Sequence, residues 1–500
     1  MPGRIEFEFR TRPGVKPPRP LQTQPMRMLV MGDFTAAAHR PPTQASNPIA
    51  GRSLYPVDID NLDQLIARLK PAATLQLDDN LSVEFSPREL EDFHPDQLFR
   101  TLPVFDPLRD LRKRLHNSRS HPDAAAEFRE LMHDRELPGT AEGGTTPSTP
   151  PSSIETDTST LERLLGKSVE DTSDSQRKSK SIVSGFISQV LADQIVADAD
   201  PGQEVYFSAV DEAIGALMRR ILHHPDFQNL EALWRSLHFL ITRLELGEEL
   251  QLSILDITRQ ELLDDINSVD GQLEQSSLYQ LLVEQGVQIP GAFPWSLLIG
   301  NYSFGTSTQD ITLLAALGTI ASHAGGPFIA AADWKPVDGD DMQNREALRE
   351  HPAAAWIGLA LPRLLLRLPY GENTDELDDF AFEEVNETPD HEAFLWGNPA
   401  FGCAALIGQA FTQRGWQMEP GDIRDIGDLP AHTYRADQEM KITPCAETYL
   451  AESVAEKILG QGLMPLLSVH NANRVHMLRF QSISNPAQVL AGPWNAVAAN

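Results

Sequence analysis

Residues 221–240 read ILHHPDFQNLEALWRSLHFL, and within them His223, His224 and Asp226 are side chains of the types that bind metal ions or move protons. Their spacing argues against both. Neighbouring residues on a helix diverge by about 100°, whereas a chelating histidine pair uses i and i+4 so that both rings share a face. Other signatures stop short in the same way. Gly166-Lys167-Ser168 ends like a phosphate-binding loop, but Leu161 stands where a glycine would turn the backbone amides inward. In GNYSFG, residues 300–305, one residue too many precedes Ser303 for the tight turn that presents a catalytic serine. The acidic stretches DELDDFAFEE and ADWKPVDGDD lack the alternation of a calcium loop and read as solvated loops. Cys403 and Cys445 are the chain's two cysteines, too few for a disulfide framework and too far apart for a Cys-x-x-Cys centre. The expectation is no catalytic, cofactor or metal site.

What the stretch does carry is packing. Leu230, Leu233, Trp234, Leu237, Leu240 and Ile241 fall at helical spacing and form one apolar face. Upstream, Val210, Ile214, Leu217, Met218, Ile221 and Leu222 do the same. Pro225 suits the first turn of the second helix, where its missing N–H costs nothing, and Asp226 favours that positive end. The histidines would then close the first helix, where positive charge is favoured. The spacing predicts a corner between two helices, with Leu230, Leu233, Trp234 and Leu237 as the core of the second.

The elements around this corner alternate. RIEFEF sets Ile5, Phe7 and Phe9 against charged neighbours, a strand with one apolar face, tethered by a Pro-rich arm to residue 20. Such a lone strand needs a sheet edge, in its own chain or a neighbour's. MRMLVMGDF reads as a buried strand ending at Gly32-Asp33. VDIDNLDQLIARLKP reads as a helix through Leu62, Leu65, Ile66 and Leu69, with Asp58 and Asp60 as its candidate caps. LSVEF and PDQLF give a strand and a short helix, and VFDPLRDLRKRLHN another helix. Residues 134–160 are rich in Gly, Ser, Thr and Pro with almost no large apolar side chain, a flexible joint. Beyond it, LQLSILDIT, Ser296–Ile299, GPFIAAA and AAWIGLALP read as buried strands between helices. The fold class is α/β, with mixed sheets flanked by helices.

Charge narrows the function further. The 500 residues carry 71 acidic and 41 basic side chains, a formal net charge of −30. That field repels phosphate backbones and anionic lipid, so neither nucleic acid nor a membrane surface is an expected partner. No signal-peptide core and no apolar window of membrane-spanning length occur, and a cytoplasmic location is expected.

Several stretches resemble a known family. ILHHPDFQNLEALWRSLHFL, LIGNYSFG, GGPFIAAA, GLALPRLLLRLPYG with the later FEE, FLWGNPAF, RGW and TPCAE occur in the order seen in the large contractile-sheath subunit of bacterial type VI secretion systems, the TssC or VipB family. The likeness covers about residues 160–485. RMLVMGDF, VDIDNLDQLIARLKP, VEFSPRELEDFHPDQLF and LPVFDPLRDLRKRL are similar to the small subunit, TssB or VipA. The resemblance implies a fusion of the two: residues 1–20 a strand and arm, 21–133 a TssB-like domain, 134–160 the linker, and 161–500 a TssC-like domain.

It also implies mechanical work. In that family, composite α/β protomers assemble without a cofactor into a helical sheath around an inner-tube protein, on a baseplate, and contraction propels the tube. Strands exchanged between protomers lace the lattice, a part that Ile5, Phe7 and Phe9 would play. A short helix near the start of the large subunit is recognised by a AAA+ unfoldase, and STLERLLGKS, with Leu161, Leu164 and Leu165, resembles it. Large subunits of the family continue past the segment resembling LLSVHNANRVHMLRFQSISNP, while this sequence stops at Asn500. That suggests the alternative of a sheath-derived terminator or baseplate-associated component.

Overall fold

The computed structural model describes residues 23–39, 49–78, 81–117, 122, 203–289, 291–333, 340–385, 391–431, 433–436, 439–442 and 444–494. The strand candidates Ile5, Phe7 and Phe9, the 134–160 linker, and Leu161, Leu164 and Leu165 lie outside the described residues.

In chain order the strands begin with β1 (Met26–Gly32), β2 (Tyr55–Pro56), β3 (Ala73–Asp78), β4 (Leu81–Phe85) and β5 (Leu250–Asp256). There follow β6 (Leu297–Phe304), β7 (Phe328–Ala332), β8 (Ile357–Leu361), β9 (Leu364–Leu365) and β10 (Trp396–Gly397). The last are β11 (Asp425–Ile426), β12 (Thr433–Ala436), β13 (Glu439–Ile442), β14 (Met464–Ser468) and β15 (Val475–Met477). The helices used below are α1 (Leu62–Leu69), α2 (Pro95–Thr101), α3 (Asp106–His116), α4 (Gln203–Leu222) and α5 (Pro225–Arg243). To these are added α6 (Arg259–Asn267), α7 (Thr308–Ala324), α8 (Asp340–Glu350), α9 (Pro399–Arg414) and α10 (Glu452–Gly460).

A nine-stranded mixed sheet organises the chain, in the order β11-β15-β14-β8-β7-β6-β1-β5-β2. The strands from β14 to β5 run parallel, and β2, β15 and β11 are antiparallel additions at the two edges. β1 sits inside this array, with Val30 opposite Ile254 on one side and Ile299 on the other. Its sequence explains the place. Met26, Met28 and Val30 enter one core while Leu29 and Met31 enter the other, the two-sided apolar run an interior parallel strand requires.

One core, under α4, α5 and α9, takes in the β3–β4 hairpin and α1 to α3. The other lies under α6, α7 and α10. Leu230, Leu233, Trp234 and Leu237 are all buried on α5. A Cβ at Gly32 would stand 3.2 Å from Leu233 and 3.1 Å from Asn301, so glycine there lets β1 and α5 approach closely. Phe34 meets Trp234 edge-on at 5.0 Å, and Phe227 meets Phe85 at 5.0 Å and Phe93 at 5.6 Å.

Local details depart from the sequence reading. Neither Asp58 nor Asp60 caps α1; Asn61 holds the cap position without a side-chain bond to the helix, and Asp58 instead accepts the amides of Asp60 and Asn61 at 3.0 Å. His224 follows the end of α4 and serves as the N-cap of α5, its Nδ1 accepting the Asp226 N–H at 3.2 Å. His94 caps α2 through Asp96 with the same 3.2 Å geometry. No helix among the described residues is long and apolar enough to cross a membrane.

Candidate functional site at the seam of two segments

Residues before and after the 118–202 interval share one sheet, so the seam between them is the largest structural commitment of the chain. Two polar centres stand on it.

The first explains the histidine corner. Arg367, 8% exposed, is enclosed between Glu231 and Glu384, which are 0% and 1% exposed. Its Nε donates to Glu231 Oε1 at 2.8 Å, and its two Nη atoms donate to Glu384 at 2.7 and 3.0 Å. Arg235 joins Glu231 at 2.6 Å and donates to the Tyr370 hydroxyl at 3.0 Å. Two cations thus face two carboxylates, which lets the group be buried without net charge. Burial by itself would raise the pKa of Glu384, but the adjacent Arg367 guanidinium overrides it and holds the carboxyl down at about 2. The Tyr370 hydroxyl is pushed up to about 12 by burial, against the opposing pull of Arg367 and Arg235. His223 stands at the edge of this network, Nε2 3.4 Å from Glu384, and Nε2 makes no well-aligned hydrogen bond.

The N-terminal segment reaches the same place through the other His-Pro-Asp corner. The His94 ring packs edge-on against Tyr370 at 5.0 Å. Buried Asp96 accepts the amides of Asp378 and Asp379 at 3.1 and 3.3 Å, while Arg100 pairs with Asp379 at 2.6 Å. The loop from Tyr370 to Glu384 is therefore strapped between two segments distant in sequence.

The second centre lies at the carboxyl ends of β1 and β5. Asp256 accepts the Thr35 amide at 3.2 Å and its hydroxyl at 2.9 Å. Arg52 does not neutralise it directly: the guanidinium donates to the Asp256 main-chain carbonyl at 2.7 Å and grips Glu261 with both Nη atoms. Burial raises the Asp256 pKa to about 6; the Thr35 hydroxyl opposes this and the charge of Asp33 adds to it. Elsewhere on the seam, Arg27 lies 4.0 Å over the Trp295 ring, Arg112 pairs with Asp211 at 2.6 Å, and the Trp416 indole donates to Gln24 at 2.8 Å.

None of these arrangements activates a nucleophile. Ser303 is exposed on β6. Burial pushes the thiol pKa of Cys403 up to about 12 and that of Cys445 to about 11. Among the described residues no group of His, Cys, Asp and Glu could hold a metal ion. What the geometry does is join: long-range ion pairs and hydrogen bonds fix the two segments in one register. Sequence reasoning missed Arg367, Glu231, Glu384, Asp96 and Asp256. The available signal was a charged residue interrupting an apolar run, as Arg367 interrupts LLLRLPY and Glu231 interrupts the face of α5.

Comparison with known proteins agrees with this division. The VipB family, described as the EvpB tail sheath N-terminal domain, matches residues 204–345 and 335–484. A family described as VipA of type VI secretion systems matches residues 4–135. The type VI secretion system sheath protein TssC1 of Pseudomonas aeruginosa is 31% identical over 314 residues, covering 58% of this chain and 63% of that protein. The chain thus spans less than two thirds of that relative's length. The helical sheath of the anti-feeding prophage in its contracted state is similar at a TM-score of 0.26 and 11% identity, over 51% of this chain and 53% of that one. With more than half of its length matched by that tail-sheath model, and a VipA-type segment ahead of it, the chain belongs to the VipB tail sheath family.

Proposed function

We propose that this protein is a structural protomer of a contractile type VI secretion sheath, carrying the small- and large-subunit parts in one polypeptide. The observation that carries the reading is the position of β1: a strand of the VipA-type segment lies between β5 and β6 of the VipB-type segment, register-matched to both. One chain therefore supplies a composite protomer with its interior strand already in place. Its work would be mechanical: copies assemble in a helix around an inner tube on a baseplate in the bacterial cytoplasm, and contraction propels the tube. Contacts that repeat between identical units without closing give such helical polymers.

Three finer parts belong to the same proposal. The strand of Ile5, Phe7 and Phe9 would pair with a neighbouring protomer's sheet edge. The helix of Leu161, Leu164 and Leu165 would be the handle for a AAA+ unfoldase. The linker at 134–160 would divide a domain at 21–133 from one at 161–500. Electron microscopy of the purified full-length chain tests the main reading. Rings or tubules are expected; monodisperse monomers under assembling conditions, with and without an authentic sheath partner, would overturn it.

A further inference from the structure

The α3 helix is basic in a chain of net charge −30: Arg109, Arg112, Lys113 and Arg114 lie close together on it. Beside it, among residues of α2, α3 and α4, opens a cleft of about 910 Å³, large enough for a short peptide segment. Part of its lining is aromatic. Phe99 and half-buried Phe207 contribute to it, and the His116 ring stands edge-on to Phe207 at 5.8 Å. Its charged lining is Arg109, Arg112 and Lys113 against Asp211.

The arginines are already matched. Arg112 grips Asp211 at 2.6 and 3.3 Å, Arg109 pairs with Asp106 and donates to the carbonyls of Phe99 and Arg100, and Arg114 pairs with Asp110 at 2.9 Å. Lys113 is exposed and has no acidic partner among the described residues. The cleft therefore keeps an uncompensated positive charge beside aromatic rings. Its complement is a segment that is apolar and acidic and brings no cation of its own.

The chain contains such a segment next to the opening. FISQVLADQIVADAD, residues 186–200, carries Phe186, Ile187, Val190, Leu191, Ile195 and Val196 together with Asp193, Asp198 and Asp200, and no lysine or arginine. Apart from position 122, residues 118–202 lie outside the described residues, and both ends of that interval meet the cleft: Asn117 lines it, and Gln203 begins α4 just before Phe207. At about 1.5 Å per helical residue and at most about 3.6 Å per extended one, Asp200 is tied within about 17 Å of the Phe207 backbone. A tether that short gives the segment an effective concentration near the millimolar range, which a second copy in dilute solution does not reach. Residues 123–137 are acidic too, but Arg129 and Arg135 among them would meet the lining with like charge.

We propose that this cleft seats residues 186–200 of the same chain, with Lys113 facing one of Asp193, Asp198 and Asp200 and the apolar side chains against Phe99 and Phe207. The contact goes beyond the sheath reading and does not depend on it; it ties the stretch leading into the VipB-type segment to α3 of the VipA-type one. Its test is zero-length crosslinking of the full-length chain. Isotopically light and heavy copies are mixed in the dispersed state and treated with a carbodiimide, which joins an amine to a carboxylate in contact. An amide between Lys113 and Asp193, Asp198 or Asp200, both halves carrying the same label, is expected. In hydrogen exchange, Lys113→Glu and Ile195→Asp should each speed the amides of 186–200 about tenfold or more, while those of β1 and β5 exchange as before. Links from Lys113 to Glu127 or Glu130, links of mixed label alone, or exchange of 186–200 that neither variant changes would each overturn the proposal and leave the sheath reading standing.

Discussion

Glu384 and Asp256 are both largely buried carboxylates on the same seam, yet one is held at about 2 and the other raised to about 6. The difference is the partner. Glu384 has a guanidinium in contact through two hydrogen bonds; Asp256 has a hydroxyl and an amide, while the nearby Arg52 is committed to Glu261. Burial penalises both charges, and only a cation at contact distance overcomes it. The first centre is therefore a clamp that works because it is ionised. The second carries its charge at a cost near neutral pH.

The largest effect should come from breaking the clamp. Arg367→Met leaves Glu384 buried without its cation and Glu231 with Arg235 alone, and removal of one partner from a buried pair costs about 3–5 kcal/mol. Denaturant unfolding at neutral pH should show that loss. A change under about 1 kcal/mol would mean that the network is no clamp. Below neutral pH the signs follow from the direction of each shift. Glu384, with its pKa depressed when folded, contributes stability that is present above its unfolded value and lost as pH falls toward about 2.

Asp256 should behave in the opposite sense. Its folded pKa is raised from the ordinary 3.8 to about 6, so the folded state holds the proton more tightly and stability falls as pH rises between those values. Asp256→Asn removes that cost, because an amide can still hydrogen-bond Thr35. It should stabilise the chain by about 2–3 kcal/mol at pH 7.5 and by little at pH 4, from 1.36 kcal/mol per unit. Unfolding curves of the two proteins at both pH values check it; an equal difference at both would refute the charge account.

The contrast also shows what the sequence could and could not disclose. β1, β5, β7 and β8 are short apolar runs bounded by turn residues, and the α4–α5 corner follows from helical spacing, so these elements were legible one by one. β3 was missed although ATLQLD alternates apolar with polar residues behind the breaker Pro71, and pairing with β4 is what completes it as a hairpin. Spatial pairing was the wider gap. Thr35 and Asp256 are 221 residues apart, and Arg367 and Glu231 are 136 apart, so no local pattern links them. The acid near position 384 was visible only as part of FEE, with nothing to mark which of the two glutamates turns inward.

The smallest effect concerns the two histidine corners, which invite comparison because their geometry is the same. His94 and His224 each precede a proline, and each ring accepts the amide of the following aspartate at 3.2 Å. A side-chain N-cap is worth about 1 kcal/mol, so His224→Ala should destabilise by about that amount. His94→Ala should cost somewhat more, because the ring also packs on Tyr370 and so helps hold the strapped loop. His224→Asn, which restores a cap acceptor without an imidazole, should recover most of the His224→Ala loss in unfolding measurements. If it recovers none, the ring itself matters at this position, and the corner that resembles a metal site would owe its stability to something other than capping.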